Sequence, residues 1–157
     1  METVDPKAKI GDFIQSKILK YELLILSIIV FILILTFLNL PFAGLIATLV
    51  LMTVSIIYFF SAFATPTNPE FSAIDLFFNK LTALGCSVSV IGVLFRIQHW
   101  PFGKNIITVG LITMIISLAY IIYQKNKTPE IEIFNKLILV RLIILILVSA
   151  GALYLEI

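Results

Sequence analysis

LLILSIIVFILILTFLNLPFAGLIATLVLMTVSIIYFFSAFATPTNP, residues 23–69, runs for 47 residues without a charge. As one helix it would be about 70 Å long, at about 1.5 Å per residue. A bilayer core is about 30 Å thick and is crossed by about 20 apolar residues. The run therefore turns back on itself, and Asn39-Leu40-Pro41 supplies the break. The result is a transmembrane helical hairpin.

Composition extends this reading to the whole chain. Hydrophobic residues make up 61% and charged ones 13%, with a mean hydropathy of +1.13. Soluble domains carry about 25% charged residues. The net charge of +2 is too small to mark a nucleic-acid binder. Cys86 is the single cysteine, so it makes no internal disulfide, and its place between Gly85 and Ser87 fits a small packing residue. The first 22 residues are polar, so no cleavable signal peptide is expected.

Five spans follow, roughly Tyr21–Leu40, Phe42–Phe63, Leu81–Trp100, Asn105–Tyr123 and Leu137–Leu155. The expected fold is an all-α membrane protein. Its five transmembrane helices form parallel-repeated helical hairpins with short interfacial helices, in one integral membrane domain over residues 1–157. Identities recur 60 residues apart: Pro41-Phe42 with Pro101-Phe102, Thr48 with Thr108, and Thr53 with Thr113. The units are about 5–64, about 68–123, and a half unit 128–157. Each opens with a capping residue before proline: Asp5-Pro6, Asn68-Pro69 and Thr128-Pro129. In the first unit an amphipathic stretch follows, with Ile10, Phe13, Ile14, Ile18 and Tyr21 on one face. Phe71, Ile74, Phe77 and Phe78 repeat the pattern in the second.

Lys and Arg fix an expected orientation. With the N-terminus inside, nine fall on the inner side, counting Arg141, which snorkels there from one turn into the last span. Only Arg96 and Lys104 fall outside. That bias in short loops implies a cytoplasmic N-terminus and a C-terminus across the membrane, in a bacterial inner membrane.

The middles of the spans read as free of ionisable groups. Their polar residues are Ser and Thr, suited to helix packing. No paired carboxylates, nucleophile–base pair or phosphate-binding glycine loop is present, so neither an enzyme nor a cofactor is expected. No metal site is expected either, because the one histidine has no ligand partner nearby. The one unusual cluster is Phe95-Arg96-Ile97-Gln98-His99-Trp100-Pro101-Phe102-Gly103. Arg96 and His99, three apart, share a face if the helix continues. Two readings compete. His99 handles protons beside a cation, or Arg96 and Trp100 anchor a helix end and Pro101-Phe102-Gly103 turns the chain.

Gly92, Phe95, Arg96, Ile97, His99, Trp100 and Pro101, followed by Gly110-Leu111-Ile112-Thr113, resemble the N-terminal membrane hairpin of the GldL family over about residues 81–123. The resemblance implies kinship with an inner-membrane motor of gliding motility and type IX secretion. It also implies a hairpin whose second helix carries a glutamate, implicated in proton-driven rotation, just after Gly-Leu-Ile-Thr. Here Met114 stands in that place. The family's long cytoplasmic region has no counterpart, and extra spans flank the hairpin. The expected function is a structural or interaction subunit of a membrane complex. Its partners are the lipid bilayer and other membrane proteins or its own copies. The alternative is a channel or transporter accessory using Arg96 and His99.

Overall fold

The computed structural model describes residues 5–38, 40–65, 72–127 and 136–154. These residues are helical, without strands. The helices are α1 (Pro6–Phe13), α2 (Glu22–Phe37), α3 (Ala43–Ser61), α4 (Ala73–Ile97), α5 (Gly103–Lys127) and α6 (Lys136–Tyr154). A π turn over Ile14–Ile18 and a 3₁₀ turn over Leu19–Tyr21 join α1 to α2. Counting Pro6–Phe37 as one, five helices among the described residues are long and apolar enough to cross a membrane.

The expected break in the uncharged run is present. Leu38 N–H bonds the Ile34 carbonyl at 3.0 Å, and α2 ends there. Ala43 N–H then bonds the Leu40 carbonyl at 3.1 Å. Pro41 and Phe42 fill the centre of that turn, Phe42 at φ 65 and ψ −2. This is a type II turn, with a phenylalanine where glycine is favoured. Sixty residues on, Phe102 repeats the left-handed backbone at φ 66. Nearby bonds match at the same offset. Thr48 and Thr108 hydroxyls donate to the Gly44 and Lys104 carbonyls, both at 2.8 Å. Thr53 and Thr113 donate to those of Leu49 and Val109, at 2.7 and 2.8 Å. A hydroxyl bonded back to its own helix hides its polarity from lipid.

Asp5 caps α1 as expected, accepting from Lys7 N–H at 3.0 Å with Pro6 in the first turn. The second unit differs. Asn68-Pro69 and Phe71 lie outside the described residues, as does Thr128-Pro129. The described part of α4 begins at Ala73, in a capping box of Ser72 with Asp75. Ile74 and Phe77, expected in an interfacial stretch, belong to the span helix itself and point outward.

α4 is the central helix. In its most apolar 18-residue window 61% is buried, against 28–33% for the other spans. It packs against α3, α5 and α6, while α2 packs on α3 and α6. Serines carry two of these contacts. The Ser55 and Ser87 hydroxyls each donate to the other's carbonyl, at 3.2 and 2.9 Å. Ser89 donates to the hydroxyl of Ser149, which itself donates to the Leu145 carbonyl.

The two ends are tied separately. At one, Asp12 accepts from the Thr65 N–H and hydroxyl, both at 2.7 Å. At that end too, Asp75 accepts from Tyr120 at 2.7 Å and Gln124 at 2.9 Å. At the other, Gln98 donates to the Gly44 carbonyl at 2.7 Å and the Thr48 hydroxyl at 2.6 Å. Arg96, beside Gln98, bonds the Ala152 carbonyl, so α1 and the end of α6 lie at opposite ends of the bundle.

Arg141 corrects the sequence reading. It is buried and ion-paired with Glu22, which is 2% exposed. Its guanidinium lies 4.9 Å from the Tyr58 ring centre. Glu22 on α2 and the Tyr58 ring on α3 hold the side chain inward, so it does not snorkel. The bundle interior therefore does hold ionisable groups.

Candidate functional site at the turn between α4 and α5

The residues singled out in the sequence build one helix ending. α4 stops at Ile97, with Gln98 as its C-terminal cap. His99 takes the left-handed conformation at φ 54. Its N–H bonds the Arg96 carbonyl at 3.1 Å, and Trp100 N–H bonds the Phe95 carbonyl at 2.8 Å. These two bonds define a Schellman motif, which satisfies carbonyls the helix end would otherwise leave open. The motif favours an apolar contact between the residues of its outer bond. Here the Trp100 ring meets Phe95 edge-on, with centres 5.0 Å apart. Pro101 follows, where a residue that cannot continue the helix is expected.

Arg96 and His99 do not share a helix face, because the helix has ended between them. They meet instead at a cavity of about 330 Å³, which Trp100, Phe102, Lys104 and Asn105 also line. Arg96 is half-buried, with its Nε donating to the Ala152 carbonyl of α6 at 3.5 Å. His99 and Trp100 are exposed. The other half of the motif is steric. A Cβ on Gly92 would sit 2.6 Å from the Ile107 nitrogen, so only glycine allows this approach of α4 to α5. Met114 is fully buried, and a Cβ on Gly85 would lie 3.4 Å from its Cγ.

Sequence reasoning missed Gln98, whose amide crosses to α3, and Asp75, which takes bonds from α5. A weak signal existed for Asp75, since Ser72-x-x-Asp75 is a capping-box pattern. Nothing local marks Gln98 as a cross-helix donor. Cys86 is fully buried in the core, as expected of a packing residue.

The role of His99 is separable from its backbone. A left-handed non-glycine residue costs about 1–2 kcal/mol. His99→Gly should therefore melt at or above the wild-type temperature, and His99→Val clearly below it, by circular dichroism in detergent. A His99→Gly protein that melts well below wild type would mean that the imidazole holds the turn.

Met114 is a buried thioether, and the turn is a Schellman ending reinforced by Phe95 and Trp100. No curated protein and no solved structure matches the chain. Residues 81–134 match the family model of the GldL N-terminal domain, so α4 from Leu81 onward and α5 are a GldL-like part of this multi-span helical protein.

Proposed function

We propose that this protein is a structural or interaction subunit of a bacterial inner-membrane complex of the gliding or type IX secretion kind, with no proton motor of its own. One observation carries the reading: in the GldL-like hairpin, Met114 is fully buried at the place where the resemblance implies a membrane glutamate. A thioether exchanges no proton. Elsewhere inside the bundle, Glu22 and Arg141 neutralise each other. The N-terminus faces the cytoplasm and the far end of α6 faces the periplasm. The charge bias supports this. The bonds matched at an offset of 60 support a parallel repeat of α2–α3 by α4–α5, with α6 opening a third unit. No enzymatic step is assigned.

Purification in mild detergent should bring down other membrane proteins in fixed ratio; recovery of the chain alone would reject the subunit reading. In sealed liposomes under a pH gradient, the protein should leak protons no faster than empty vesicles. Leakage that disappears in Glu22→Gln or His99→Ala would favour the channel alternative. A reporter active only in the cytoplasm, fused after Ile157, should stay silent. Strong activity there would reverse the orientation.

A further inference from the structure

We propose that the cavity at the turn between α4 and α5 binds the phosphate of an anionic phospholipid, with Arg96 and Lys104 as its cations. The proposal is independent of the subunit reading.

Charge complementarity is the first argument. Arg96 uses only its Nε within the protein, on the Ala152 carbonyl. Its two terminal nitrogens remain for a ligand. The described carboxylates are Asp5, Asp12, Glu22 and Asp75, and none is at this end. Asp12 and Asp75 close the opposite end, and Glu22 is paired with Arg141. Two cations thus line one cavity of about 330 Å³ without an acid among the described residues. Guanidinium and ammonium donors are suited to phosphate oxygens. His99 and Asn105, on the same wall, add further polar groups.

Placement is the second argument, and it selects a lipid over a free ion. The cavity opens at the end of two helices apolar enough to cross a membrane. Trp100 and Phe102, 45% and 72% exposed, form part of its rim. Phe42, on the neighbouring turn, is 79% exposed. Exposed aromatic rings at span ends sit at headgroup level. Phe42 and Phe102 keep their rings outward despite a backbone that disfavours any side chain. These rings hold the cavity at the depth of lipid phosphates. Among the described residues no acidic side chain lines it to receive the ammonium of a zwitterionic headgroup, so anionic headgroups are preferred.

The test is native mass spectrometry of the full chain, released from detergent after incubation with equimolar phosphatidylglycerol and phosphatidylcholine. The wild type should retain about one phosphatidylglycerol, at least about tenfold in excess of phosphatidylcholine, the ratio expected of one or two charge-assisted bonds. Arg96→Gln with Lys104→Gln should lose that preference, and Arg96→Lys alone should keep most of it. Circular dichroism identifies variants that remain helical. Equal retention of the two lipids by the wild type overturns the proposal, whatever the variants do. So does an unchanged preference in a helical double variant. Displacement of the lipid by excess inorganic phosphate would mean that the cavity takes free anions instead.

Discussion

Arg141→Met should destabilise the bundle by about 3–5 kcal/mol, because it leaves Glu22 buried without a counter-charge. Glu22→Leu should do the same from the other side. Together, Glu22→Leu and Arg141→Met should recover most of the loss. The double variant removes both desolvation costs at once, and an apolar pair of similar volume commonly matches or exceeds a buried ion pair. The pair joins α2 to α6 across 119 residues of sequence, so the first and last spans depend on it for register. Tyr58 strengthens the site by placing its ring against the guanidinium. Beside Arg141 lies a cavity of about 30 Å³, with Gln15, Ser61, Asn79 and Thr82 as polar walls. That is room for one water to satisfy remaining guanidinium protons. Thermal melting in detergent micelles measures all three variants. A single variant as stable as wild type would show that the pair is not a structural tie.

The same pair shows where a sequence stops being readable. The break at Asn39-Leu40-Pro41 is legible because proline and a length limit act locally, and the helices do end there. Asp5-Pro6 is legible for the same reason: a cap acts on the next two or three residues. Glu22 and Arg141 have no such local signature. Each stands near the start of its span helix, where a charged side chain ordinarily reaches the headgroups. Only the packing of α2, α3 and α6 decides that Arg141 turns inward. His99 fails differently. Its spacing from Arg96 implies a shared face only while the helix continues, and the left-handed cap at His99 ends it. Both still line one cavity, through the fold of the turn and not through helical period. Gln98 was unreadable because its partners, Gly44 and Thr48, belong to another hairpin. Met114 was legible only beside a family pattern, since a methionine in an apolar helix carries no signal of what it replaces.

The glycines give the sharpest contrast of sign. Replacing glycine by alanine inside a helix ordinarily stabilises it by about 0.5–1 kcal/mol. Gly151→Ala should do so, since an added Cβ there meets nothing within 4 Å. Gly92→Ala and Gly110→Ala should go the other way. At Gly92 the new carbon would lie 2.6 Å from the Ile107 nitrogen, and at Gly110 it would lie 2.7 Å from the Ser89 nitrogen. Both obstacles are backbone, which cannot swing aside as a side chain can. α4 and α5 would have to separate along their whole contact. Overpacking of this kind costs about 1–3 kcal/mol, enough to exceed the gain in helix propensity. The cost should grow further in Gly92→Leu and Gly110→Leu, which move the helices apart by more than a methyl group. Ser89 also donates to Ser149, so displacement at Gly110 should loosen α6 as well as α5. Melting temperatures in one detergent should therefore rank Gly151→Ala highest, wild type next, and the Gly92 and Gly110 variants lowest. A Gly92→Ala protein more stable than wild type would mean that α4 and α5 do not approach as closely as the structure has them. The close packing of the GldL-like hairpin would then have to come from its side chains alone.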